Sequence, residues 1–202
     1  MTTLIKLAID NKAPSKAGAQ DIIRDLAEQH PDSVRELARL YAYFMPPKPK
    51  KPKTPFQWVA MAAGVKDIRY YLNCVYVTAE HLTATDGHRL HRAPNTDNLA
   101  PGYYHPTTGD LVHPPEYSAY PDTAKVIPAP GKSVPFELTD AAPGESRDGR
   151  PCYTVSGAAM NARYLQDAMT FMPAAQIQIT ASDKAVRLDD GDLLAVIMPL
   201  HK

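Results

Sequence analysis

Apolar positions recur along this chain with two different periods, and the change of period divides it. Over the first 45 residues the period is helical. Residues 17–29 align Ile22, Ile23 and Leu26, and residues 33–44 align Val34, Leu37, Leu40 and Tyr41. Pro31 and Asp32 separate the two runs, and Asp32 or Ser33 supplies an N-cap, so the pattern predicts a helical hairpin. Upstream, residues 3–9 form a short apolar run that fits either a strand or a buried helix segment. From Phe56 onward strand-like alternation dominates. Residues 56–65 predict a short helix and residues 70–78 a strand. Residues 81–85 and 89–93 flank Asp86-Gly87, a strong hairpin signal. A further hairpin is expected over 102–112 around Thr108-Gly109-Asp110, and an exposed loop over 141–150. Near the C-terminal end, residues 152–155 read as a strand. Residues 161–171 read as a helix with Tyr164, Leu165, Ala168 and Met169 on one face. Strands are expected at 175–181, 185–189 and 193–199.

A helix followed by three antiparallel strands therefore occurs twice, which is the signature of an internal repeat. Each unit has an apolar sheet face and an apolar helix stripe that cannot be buried alone, so the two units are expected to share a core. The expected fold class is α+β: one domain of two helix-plus-antiparallel-strand repeats, with an N-terminal helical appendage. The boundaries are 1–45 for the appendage and 46–55 for a linker. The domain is 56–202, made of a first half 56–93, a Pro-rich connection 94–150 and a second half 151–202.

Composition changes this picture in three places. The chain holds 20 prolines, about twice the usual share, clustered at 46–55 and 94–135. Alternating Pro and Lys over 46–55 allows neither helix nor central strand and predicts an extended, solvated linker. Charge is balanced at 22 basic against 22 acidic residues, so bulk electrostatics gives no argument for nucleic acid. The cations available to phosphates are Lys48, Lys50, Lys51 and Lys53 of the linker, with Lys66 and Arg163. Cys74 and Cys152 are isolated and read as buried small hydrophobes. No run of 18 apolar residues occurs and the first residues lack a signal-peptide pattern, so a cytoplasmic protein with no membrane partner is expected. No catalytic constellation competes. His88 and His91 would fall on opposite strand faces, which disfavours a shared metal, Ser156-Gly157 is not a nucleophile elbow, and no glycine-rich phosphate loop exists. The expectation is a non-enzyme without cofactor or metal.

Five segments carry a resemblance: DIRYYLN at 67–73, ATDGHRL at 84–90, YPDTAKVIP at 120–128, NARYLQDA at 161–168 and VIMPL at 196–200. In this order they resemble segments of the bacterial sliding clamp, the beta subunit of DNA polymerase III. Together they cover about 145 C-terminal residues with gaps, and residues 1–53 match nothing in that family. Only about 30 residues separate Leu90 from Pro121, and about 40 separate Pro121 from Asn161, where the family places a further half-domain in each interval. The resemblance thus implies a reduced clamp, joining the first half of the middle domain to the second half of the third. Residues 3–9 would supply the strand missing before the first helix.

In that family a groove binds short linear motifs of polymerases and repair proteins. Carried over by matching position, the deep subsite would use Leu72, Thr85, Gly87, Arg89, Leu90, Pro121, Val126, Val196 and Met198. The shallower side would use Arg69, His88, Asn161, Tyr164, Pro199 and Leu200. The residue types suit the task. Apolar side chains from separate segments accept aliphatic or aromatic anchors, Met198 adapts its shape, and His88 and Arg89 can hydrogen-bond backbone or a glutamine side chain. A motif of about five residues would bind with micromolar affinity, about −8 kcal/mol. Two readings follow. One is a clamp-like replication accessory module that binds such motifs without encircling DNA. The other is a DNA-encircling processivity factor, which requires homo-oligomerisation and double-stranded DNA as partner. A degenerate structural relative that binds neither is a third. The helices expected to face DNA carry few cations, which favours the module.

Overall fold

The computed structural model describes residues 51–113 and 119–200, which fall in one compact unit. The elements expected at 3–9, 17–29 and 33–44, and the linker cations Lys48 and Lys50, lie outside the described residues.

Thr54 opens the first helix, α1 (Pro55–Ala60). Its side chain accepts from the Gln57 N–H, and Pro55 occupies the first turn, where a missing N–H costs nothing. The helix is shorter than expected. After Ala60 the backbone tightens into i→i+3 bonds, and Gly64 N–H donates to the Leu72 carbonyl at 2.7 Å. The strand expected over 70–78 is shortened to β1 (Val75–Val77), preceded by a 3-10 turn at Tyr70–Asn73. Local polar bonds override the alternation there. Asn73 accepts from Asp67 N–H and donates to Asp67 O, both at 2.8 Å, which closes the loop before pairing begins.

Strands β2 (His81–Thr85) and β3 (Arg89–Pro94) form the expected hairpin. Strands β4 (Gly102–Tyr104) and β5 (Leu111–Val112) form the second one. Next come β6 (Val134–Pro135), β7 (Ala142–Glu145), β8 (Pro151–Val155) and β9 (Ala158–Asn161). Helix α2 (Ala162–Met169) precedes β10 (Gln176–Gln178), β11 (Val186–Asp190) and β12 (Leu193–Ile197). The loop expected at 141–150 is in part β7, an exposed edge strand paired with β8. Ala142, Pro143 and Gly144 have low strand propensity, so only tertiary pairing reveals it. Ser156 and Gly157, both at positive φ, form the two-residue turn between β8 and β9.

Among the described residues the main sheet has nine strands in the order β5-β4-β1-β2-β3-β12-β11-β10-β6, and β7-β8-β9 form a separate sheet. The two repeats, α1-β1-β2-β3 and α2-β10-β11-β12, meet at the central β3–β12 pair, where Leu90 faces Val196 and His91 faces Ala195. The helices cover one face of the main sheet. The core between them holds Trp58, Val59, Val77, Leu82, Leu165, Leu188 and Ile197, with Met160 of the smaller sheet. Trp58 Nε1 donates to the Ala168 carbonyl at 3.1 Å, which ties α1 to α2. On the opposite face, Leu90, Leu194 and Val196 form a smaller cluster covered by Ile127. Residues 120–133 cross this face as a strap. Both cysteines are buried and free, and no described helix is long and apolar enough to cross a membrane.

Candidate functional site

The strap leaves a cleft of about 280 Å³ on the face opposite the helices. Its floor comes from Leu72, Leu90 and Val196, each at most 3% exposed. Val126 of the strap and Met198 just after β12 form apolar walls that stay 56% and 45% exposed, so neither is a core residue. Pro121, Thr85, Gly87, His88, Arg69 and Arg89 complete the lining among the residues expected from sequence. Asn161, Tyr164, Pro199 and Leu200 are not among the lining residues. Asn161 instead caps α2, accepting from Arg163 N–H and Tyr164 N–H, and Leu200 N–H donates to Ala159 O at 2.7 Å.

The β2–β3 turn shapes one wall. Asp86 Oδ1 accepts from His88 N–H and Arg89 N–H, and the Thr85 hydroxyl donates to Arg89 O while accepting from Gly87 N–H. Gly87 sits at φ +92, and a Cβ there would lie 3.4 Å from Arg69 Nη2. The φ favours glycine, while the space beside Arg69 is ordinary van der Waals contact. Arg69 lies along the rim, forked onto the Asp67 carboxylate by Nε at 3.0 Å and Nη2 at 2.8 Å. These side-chain bonds hold the Asp67 carboxyl down at about 2 and push the Arg69 guanidinium up.

Arg89 differs from its expected role. Its guanidinium points away from the cleft, into the helix layer. Nε donates to Asp86, Nη1 to Asp167 of α2 and Nη2 to the Met61 carbonyl, and the group lies 4.3 Å from the centre of the Tyr164 ring. Arg89 and Asp167 are 8% and 2% exposed at the side chain, so this is a buried clasp between the two repeats. Only the stem of Arg89 is left for the cleft. The polar side chains left on the cleft rim are those of His88, which is exposed, and Arg69.

Three lining residues were not expected from sequence: Tyr71, Asp122 and Thr123. Asp122 accepts from Ala124 N–H as the cap of the 3-10 turn Thr123–Lys125, a capping pattern readable in the sequence. Tyr71 lies between Arg69 and Leu72 in a segment read as an alternating strand, and the 3-10 turn re-aims it. The near end of the strap is fixed by tyrosines. Tyr120 stacks on Tyr76 with ring centres 4.6 Å apart, its N–H donates to Tyr103 Oη, and its hydroxyl donates to Thr83 O. Burial pushes the Tyr120 phenol far above its ordinary value, so it stays a neutral donor.

Solved structures similar to this chain in fold include DNA polymerase sliding clamps. The clamp of Caulobacter crescentus matches with TM-score 0.54 and 19% identity, over 73% of this chain and 63% of that one. The Bartonella birtlesii clamp, bound to griselimycin, matches with TM-score 0.52 and 17% identity, over 73% and 63%. The Borrelia burgdorferi beta subunit, in complex with a natural product, matches with TM-score 0.51 and 16% identity, over 73% and 60%. The fold resembles that of the sliding clamps. This clamp-like chain spans less than two thirds of each of those three clamp chains. No protein-family model matches it. No curated protein sequence matches it.

The residues proposed from sequence to touch DNA are dispersed on this clamp-like fold. Lys51 and Lys53 are exposed ahead of α1, and Lys66 is exposed in the turn after it. Arg163 on α2 is 70% exposed and faces Asp167 at 3.8 Å. Helix α1 itself carries no basic residue. Among the described residues no group of His, Cys, Asp and Glu is placed to hold a metal.

Proposed function

We propose that this chain is a sliding-clamp-like accessory protein of DNA replication whose cleft binds short linear motifs of polymerases or repair proteins. One observation carries the reading: Val126 and Met198 stay exposed at the mouth of a cleft whose floor is fully apolar. An exposed apolar wall over a buried apolar floor is suited to aliphatic or aromatic anchors from an extended peptide. Arg69 and His88 on the rim supply the few polar contacts that fix orientation. Fluorescence anisotropy with a labelled pentapeptide, a glutamine followed by leucine and phenylalanine anchors, should give a micromolar dissociation constant. Met198→Asp and Pro121→Asp should weaken it at least about tenfold, about 1.4 kcal/mol. Unchanged affinity in both variants would refute the site. Griselimycin, bound in the Bartonella birtlesii clamp, is a second probe and should displace the peptide.

A DNA-encircling ring built from several copies is the second reading. It needs sheet edges that pair and helices that meet phosphate. Among the described residues both edges of the main sheet are two-residue strands, and β6 contains Pro135, which lacks an N–H. The sparse cations on α1 and α2 point the same way. These features favour a module that acts without encircling DNA.

A further inference from the structure

Five positions on the cleft face of the main sheet fall in one line across five adjacent strands: Gln178, Arg187, Val196, Leu90 and Thr85. Val196, Leu90 and Thr85 line the cleft. Gln178 and Arg187 continue the line beyond it, and both hold the far end of the strap. Arg187 Nη1 donates to Pro128 O at 2.8 Å. Gly131 N–H donates to Gln178 Oε1 at 2.7 Å, and Gln178 Nε2 donates to Ser133 Oγ at 3.1 Å. Asp189 completes the network, accepting from Arg187 Nε and Nη2 and from Gln178 Nε2. Arg187 and Asp189 are only 14% and 21% exposed, so these bonds are partly shielded from water.

The strap is also the wall that carries Pro121 and Val126. Among the described residues no strand pairs with it before β6, so strand pairing does not set its position. Its anchors are the Tyr120 stack at one end, the Arg187 network at the other, and Ile127 packed on the Leu90, Leu194 and Val196 cluster between them. Val126 lies two residues before the carbonyl that Arg187 grips, so displacement of Pro128 reaches Val126 through Ile127 alone.

We infer that Arg187 and Gln178 are positioning residues of the cleft: from outside it they fix the seat of Val126 and so set how tightly the cleft holds a ligand. This inference rests on the peptide-binding reading above. The test uses the full chain and the same labelled pentapeptide. Arg187→Lys keeps a charge for Asp189 but cannot fork onto Asp189 and reach Pro128 O together. It should keep the melting temperature near that of the parent and lower affinity about five- to tenfold, the effect of one or two lost hydrogen bonds. Gln178→Ala should do the same. Amide exchange should quicken over residues 121–127 while β2, β3 and β12 stay protected. Val126→Ala should weaken binding in the parent and add little on top of Arg187→Lys, since both act through one wall. Equal affinity of Arg187→Lys and the parent, or fully additive losses with Val126→Ala, would overturn the positioning role and leave the peptide reading intact. A parent chain that binds no peptide would overturn both.

Discussion

Arg89 and His91 stand two positions apart on β3, facing the helices. Their burial makes each a test of the packing between repeats. His91 is fully buried, stacked on Trp58 at 4.4 Å, with Nδ1 on the Trp58 carbonyl and Nε2 without a partner among the described residues. Burial lowers its pKa from 6.5 to about 3, against the carbonyl bond, which acts in the opposite direction. The unfolded chain binds a proton near pH 6.5 that the folded chain refuses. Stability is therefore complete above that pH and falls as pH drops from 6.5 toward 3, by a few kcal/mol in all. Urea denaturation across pH 7 to 4 should show this slope, and His91→Phe, which keeps a stacked ring, should flatten it. An equal slope in both would sink the account of His91. Arg89→Met leaves buried Asp167 with only the exposed Arg163, 3.8 Å away, and should cost about 3–5 kcal/mol, with most of that recovered in the Arg89→Met, Asp167→Leu double variant. A loss below about 1 kcal/mol in chemical denaturation would show that the clasp is not buried in solution.

The hairpins were the most legible elements, because turn chemistry and alternation agree in them. Asp86-Gly87 marks its turn through a side chain that accepts two backbone N–H groups and a residue at φ +92. Gly87→Ala should cost about 1 kcal/mol through backbone strain at φ +92 and loosen the turn that forms one wall of the cleft. Calorimetry and peptide titration together check both effects. A variant as stable and as tight-binding as the parent would contradict this account of the turn. Less was legible where a local bond or a distant partner decides. Tyr70, Leu72, Cys74 and Tyr76 alternate like a strand, yet the Asp67–Asn73 bonds close Tyr70–Asn73 into a 3-10 turn, which brings Tyr71 to the cleft. Ala142–Glu145 reads as loop and pairs only because β8 lies beside it. For Arg89, the sequence reveals a cation next to a turn but not that three acceptors from separate segments surround it.

At the scale of the molecule, two repeats sharing one sheet explain why a short chain can hold a cleft that draws on residues from Arg69 to Met198. The repeat was visible as two helix-then-three-strand runs. The strap was not, because residues 120–133 have neither period and are placed by side chains on β1, β10 and β11. Among the described residues both sheet edges are short and one bears a proline, which predicts that the chain elutes as a monomer or dimer in size-exclusion chromatography with light scattering. A closed assembly of about six copies would instead support the ring. The central claim is that the cleft, and not general surface hydrophobicity, binds peptide. Val126 and Leu111 are both apolar and about half exposed, at 56% and 48%, but only Val126 lines the cleft. Labelled-peptide anisotropy on Val126→Asp and Leu111→Asp separates the two cases. Loss of at least about tenfold for Val126→Asp with parent-like binding for Leu111→Asp is the predicted result, and equal binding by the two variants would contradict it.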